Sequence, residues 1–141
     1  MLFRSELELT ESVSMADPER SVVVMRGLGE LGVTLSIDDF GTGYSSFGYL
    51  KRLPLDKLKI DKSFVQDMGH SAESLAIVQA IVAMAHRLQL AVIAEGGETA
   101  DQVAALRKAE CDQLQGYYYS RPLPVEACAD FIRANAQAPA A

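Results

Sequence analysis

Cysteine is scarce in this chain, and long apolar runs and a surplus of basic charge are missing altogether. Cys111 and Cys128 are the only cysteines among 141 residues. Their spacing fits neither a zinc site nor a redox pair, and without a secretion signal both are expected to remain buried thiols. No run approaches the roughly 18 apolar residues of a membrane helix, so no membrane segment is expected. The opening Met1-Leu2-Phe3-Arg4-Ser5-Glu6 lacks the apolar core of a signal peptide, which makes a cytoplasmic location the expectation. Lys and Arg total 13 against 19 Asp and Glu, a net charge of −6, so the basic footprint of a DNA-binding protein is absent. An acidic chain can still take an anionic nucleotide if divalent metals reverse the local charge.

What is present is ordinary globular material. Hydrophobic residues make up 49% and charged residues 23%, enough for one domain with a real core. Residues 1–136 read as that domain and 137–141 as a frayed tail. Short β-rich runs alternate with helical ones. Strands are expected at 7–10, 33–37, 57–60, 91–94 and 112–114. Asp17-Pro18 reads as an N-cap with proline at the first helical position. Val24, Leu28 and Leu31 then form an apolar stripe, and Gly32 a C-terminal cap. The stretch 38–46 reads as a Gly- and Ser-rich loop, followed by a short helix over 47–52. The longest helix is expected at 74–88, with Val78, Ile81, Val82 and Ala85 on one face. Thr99 and Gln102 form a capping box. A last helix starts near Pro124, with Val125, Cys128, Ala129 and Ile132 facing inward. Five strands alternating with helices imply a parallel sheet, either open and doubly wound or part of a (β/α)8 barrel.

The strand ends carry the chemistry. Glu8 and Glu11 close the first strand, Asp38 and Asp39 the second, Lys59 and Asp61 the third. Glu95 and Glu98 close the fourth and Gln115 the fifth. In a parallel barrel these ends share one rim, where barrel active sites are built. Glu8, Asp38, Asp39 and Glu95 could not converge uncompensated, because like charges raise one another's pKa. An all-oxygen set suits Mg²⁺ or Mn²⁺, and two such ions are a recurrent clamp for phosphodiester cleavage. Lys59 would orient water or neutralise charge. Blander readings stand beside these. Asp38-Asp39 could be a capped turn, and Lys59 an exposed residue alternating with Leu58 and Ile60. Tyr117, Tyr118 and Tyr119 could stack on a base or simply pack at a barrel mouth. His70 and His86 lie off the strand ends and read as structural or surface residues.

Five segments resemble the signature motifs of EAL domains, in the family's order. They are Glu8-Leu9-Thr10-Glu11, Asp38-Asp39-Phe40-Gly41-Thr42-Gly43-Tyr44-Ser45-Ser46, Leu58-Lys59-Ile60-Asp61-Lys62-Ser63-Phe64-Val65, Ile93-Ala94-Glu95-Gly96-Gly97-Glu98-Thr99, and Gln115-Gly116-Tyr117-Tyr118-Tyr119-Ser120-Arg121-Pro122-Leu123. The resemblance implies a TIM-like barrel, of which this chain carries about five strands, and metal-dependent hydrolysis of cyclic di-GMP to linear pGpG. By position Glu8, Asp38, Asp39 and Glu95 resemble metal ligands for Mg²⁺ or Mn²⁺. Lys59 resembles the lysine that holds or deprotonates the catalytic water, Gln115 a residue hydrogen-bonding near it, and Glu11 the anchor of the Asp-Asp-Phe-Gly loop. Asp61 and Glu98 resemble positions near the substrate. The family also implies a homodimer, through the loop at 41–46, and fusion to sensory or GGDEF domains. Two departures stand out. The Glu-Ala-Leu motif and an upstream asparagine are absent, which implies a fragment with impaired catalysis or a binding or protein-interaction module. Gly97 stands where the family usually has valine.

Overall fold

The computed structural model describes residues 5–42 and 47–135. Five parallel strands form one sheet in chain order: β1 (Glu6–Thr10), β2 (Thr34–Phe40), β3 (Lys57–Ile60), β4 (Ala91–Glu95) and β5 (Gln113–Gln115). The connections carry α1 (Glu11–Ala16), α2 (Pro18–Glu30), α3 (Phe47–Leu50), α4 (Lys62–Asp67), α5 (Ala72–Arg87) and α6 (Ala100–Lys108), and α7 (Val125–Asn135) follows β5. Parallel strands in sequential order, each followed by helix, make an arc of a barrel rather than a doubly wound sheet, in which the order would reverse.

Strand alternation divides the sheet into an apolar and a polar face. Leu35, Ile37, Leu58, Ile60, Val92 and Ala94 point to the helical layer, all of them nearly inaccessible. There they meet Val78, Ile81, Val82 and Ala85, the expected face of α5, and Val65 and Leu106. Each such valine, leucine or isoleucine stabilises the fold by about 1.5–3 kcal/mol when fully buried. The opposite face carries Glu6 and Glu8, Ser36 and Asp38, Lys57 and Lys59, Ile93 and Glu95, and Gln113 and Gln115. It is therefore polar on every strand.

Local signals set several boundaries as expected. The Asp17 side chain accepts from Arg20 N at the start of α2, and Thr99 and Gln102 form a complete capping box on α6. Other expectations are corrected. On α2 the buried residues are Val22 and Met25, while Val24 and Leu31 are 51% and 73% exposed. A stripe through 22, 25 and 28 fits the 3.6 period as well as one through 24, 28 and 31, and packing on β2 decides between them. Helix α7 buries none of its residues, so Val125 and Ile132 do not face a core, and Cys128 and Ala129 are only half-buried. Both cysteines are free and half-buried rather than buried. Helices α1 and α4 were not expected, and the tail at 137–141 lies outside the described residues.

Candidate active site at the carboxyl rim

The site is built on a break in strand regularity. Ile37 pairs with Leu58 and Phe40 with Ile60, so Asp38 and Asp39 together oppose the single residue Lys59. This is a β-bulge. Asp39 takes a left-handed φ of 55°, which aspartate tolerates better than most side chains. In a regular strand consecutive side chains point to opposite faces. The bulge instead keeps both carboxylates at the rim, within β2 rather than in the expected loop. Asp38 Oδ1 accepts the Asp39 N–H at 2.9 Å.

Lys59 is the centre of the rim. Its ammonium lies 2.8 Å from Glu8 Oε2, 2.7 Å from Glu95 Oε1 and 3.4 Å from Asp38 Oδ1. Its side chain is 5% exposed, which rules out a solvated surface lysine. Burial alone would lower its pKa, but the hydrogen bonds to Glu8 and Glu95, with the charges of Glu95 and Asp38, push it well above its ordinary value. Lys59 is thus held as a cation and donor by the carboxylates around it. Asp39 is shifted the other way. Partial burial, then the charge of Asp38, then the charge and hydrogen bond of Asp61, raise its carboxyl. Asp61 is held below its usual range first by the Ser63 hydroxyl, which outweighs burial, and it N-caps α4 through the Ser63 backbone N–H at 2.9 Å.

Glu11 stands behind the rim. It is 2% exposed, and its Oε2 accepts the Gly41 N–H at 3.1 Å, 30 residues away. Gly41 has φ +99°, and a Cβ there would lie 2.8 Å from the Phe64 ring. Only glycine lets the chain turn there and meet Glu11. The next loop pair is equally tight. A Cβ at Gly116 would collide with the Gly97 backbone, while Gly96 N–H donates to the Gln115 carbonyl at 2.8 Å and Tyr118 N–H to the Gly97 carbonyl at 3.0 Å. The loops after β4 and β5 are thereby locked together. Gln115 and Glu98 line a cleft of about 600 Å³ beside Glu95, walled by Tyr117, Arg121 and the α7 residues Phe131 and Ile132. Arg121 stacks 4.8 Å above the Tyr117 ring.

Glu8, Asp38 and Glu95 therefore meet at Lys59, with Asp39 and Asp61 beside them and Gln115 and Glu98 along the adjoining cleft. Among the described residues no three acidic, histidine or cysteine side chains form a ready metal cluster. The donor set nonetheless fits a hard divalent cation. Every donor is oxygen, and the charges of Asp38 and Asp61 act on Asp39 without full compensation. Sequence reasoning missed Glu6, Ser36 and Lys57, which form a second polar layer below. The signal was there, in the alternation Glu6-Leu7-Glu8 and Lys57-Leu58-Lys59.

Residues 3–122 match the EAL domain family. The chain belongs to that family. It is 54% identical over 129 residues to the cyclic di-GMP phosphodiesterase NbdA of Pseudomonas aeruginosa, a match covering 92% of this chain and 16% of NbdA. It is 49% identical over 120 residues to MucR of the same organism, named a bifunctional diguanylate cyclase/cyclic di-GMP phosphodiesterase, covering 85% of this chain and 18% of MucR. Among solved structures, the PaMucR phosphodiesterase in complex with c-di-GMP superposes with a TM-score of 0.85 at 48% identity, covering 87% of this chain and 50% of that one. The EAL domain of Mycobacterium smegmatis DcpA superposes with a TM-score of 0.84 at 40% identity, covering 92% and 58%. This EAL chain thus spans about half of those solved chains and a sixth or so of the curated relatives.

Proposed function

We propose that this chain carries the Lys59-centred part of a phosphodiesterase site that hydrolyses cyclic di-GMP to linear pGpG with Mg²⁺ or Mn²⁺. The observation that carries the reading is the convergence of Glu8, Asp38 and Glu95 on one buried ammonium at the carboxyl rim of the sheet. Kinship with NbdA and MucR supports the substrate. Glu8, Asp38, Asp39 and Glu95 would hold the metal. Bound there, it would polarise the phosphate and make a water acidic enough to act as hydroxide near neutral pH.

The chain's own residues do the rest. Lys59, a buried donor at the rim, would hold a water or phosphate oxygen in position. Gln115 offers its amide to the same region. Glu11, through Gly41, sets the exit of β2 and hence the direction of Asp38 and Asp39. Asp61 and Glu98 border the space a nucleotide would fill. Fused regulatory domains, a homodimer and a cytoplasmic setting belong to this proposal.

The Glu-Ala-Leu motif is not among these 141 residues, and we expect them alone to turn over cyclic di-GMP far more slowly than a whole domain. The test is hydrolysis by the purified chain with Mn²⁺ beside an Asp38→Ala control. Product that disappears in the control supports the enzyme reading. A folded chain with no product supports the second reading, a cyclic di-GMP-binding or protein-interaction module that would use the cleft lined by Glu98, Gln115 and Tyr117.

A further inference from the structure

We infer that Glu6, Ser36 and Lys57 form a positioning layer that reserves Glu8 for Lys59, an inference that rests on the catalytic reading of the rim. The register puts Glu8, Ser36 and Lys57 in one row across β1, β2 and β3. Strands lie about 4.8 Å apart, so Glu8 and Lys57 start about 9.6 Å from each other, a gap their side chains bridge together. Only the short Ser36 lies between them. Lys59 stands about 6.6 Å further along β3. By position alone, Lys57 is a rival for Glu8.

The observed pairing is different. Lys57 Nζ goes to Glu6 Oε2 at 2.7 Å, and Lys59 Nζ goes to Glu8 Oε2 at 2.8 Å. Both bonds slant the same way, each lysine reaching one pleat back across β2. Glu6 therefore gives Lys57 a partner of its own and leaves Glu8 undivided. The pair is sheltered, with side chains 22% and 27% exposed, so solvent screening does not erase its preference. Ser36 is fully buried beneath the crossing, and its hydroxyl lies beside the Glu6 carboxylate. A larger residue there would block the crossing.

The test uses the full chain with Glu6→Gln, Lys57→Met and the double substitution, assayed for cyclic di-GMP hydrolysis with Mn²⁺ and paired with a crystal structure of Glu6→Gln. Glu6→Gln is expected to lose about tenfold in kcat with KM little changed, because Lys57 draws Glu8 off the rim. Adding Lys57→Met is expected to restore kcat to within about threefold of the parent, since the rival is gone. A pair that merely stabilised the fold would give the opposite result, a double variant no better than Glu6→Gln, and that result overturns the inference. The structure reads it independently of turnover. Lys57 Nζ within hydrogen-bond distance of Glu8 in Glu6→Gln supports the inference even if the parent hydrolyses nothing, in which case only the catalytic reading falls. Lys57 still clear of Glu8 overturns it even if the parent is active.

Discussion

At the scale of single residues, Lys59 and Gly41 bear most on the site. Lys59 holds three carboxylates that would otherwise repel one another. Lys59→Met should cost about 2 kcal/mol of stability, less than a fully buried ion pair would, because Glu8 keeps 46% side-chain exposure and can rehydrate. The same change should reduce hydrolysis by at least about 100-fold. Chemical denaturation and a product assay measure the two effects separately, and unchanged turnover would remove Lys59 from the proposed mechanism. Gly41→Ala meets both an unfavourable φ and the Phe64 ring. It should destabilise by about 1–3 kcal/mol and detach the Glu11 anchor, so Glu11→Gln in the Gly41→Ala background should add little. A double-mutant cycle in denaturant checks that coupling.

At the scale of elements, one device recurs at the amino ends of the strands. Asp56, just before β3, accepts the Leu35 N–H of β2 at 2.8 Å. Asp112, just before β5, accepts the Val92 N–H of β4 at 2.7 Å and contacts His86 Nε2 at 2.9 Å. Burial works against ionisation of Asp112, but the Val92 N–H and His86 outweigh it and hold its pKa below the ordinary value. A depressed folded pKa contributes stability that is fully present above the unfolded value of about 3.9 and is lost as pH falls through the folded one. Asp112→Asn should therefore lower the melting temperature at pH 7 and flatten its decline below about pH 4; an unchanged acid limb would show that Asp112 is not a titrating clasp. On the preceding residue, burial raises the Cys111 thiol to about 11, so it should resist alkylation at pH 7.5 in the folded chain.

Much of this was legible in the sequence wherever one signal acted alone. The α5 face, the Asp17-Pro18 start and the Thr99–Gln102 box follow from periodicity and capping chemistry. The rim residues were legible as strand-end polar positions, and the motifs tied them to one family. The failures arise where tertiary contact chose between equal local options. On α2 two stripes fit the same period. Shortness and polar residues hid α1 and α4, six residues each, within what read as strand exits. The bulge was invisible because Asp38-Asp39 before glycine carries the composition of a turn, and only pairing with Leu58 and Ile60 shows that the strand continues.

At the scale of the whole molecule, β1 and β5 each pair on one side only among the described residues. Apolar side chains on the same flanks are open to water, including Val13 at 58%, Val24 at 51%, Val125 at 82% and Ile132 at 60%. Unpaired edges and apolar flanks recruit further chain or copies. The 141 residues alone should therefore self-associate, with an average mass that rises with concentration in sedimentation velocity. A monomer across the accessible range would show that the arc is self-sufficient.

The bulge at Asp39 also acts as a change of reading frame along β2. Strict alternation from Ile37 would turn Phe40 towards the polar side, yet Phe40 is 4% exposed in the core. One surplus residue resets the count, so deletion at this point is gentler than its severity suggests. Removing Asp39 outright would put the phenylalanine at the next outward position in a regular strand. A chain shortened by that residue should keep its core while presenting one carboxylate, where Asp39→Asn, equally tolerant of the left-handed φ, keeps the kink and loses the charge. The two variants together separate what the extra acid contributes from what the extra residue does.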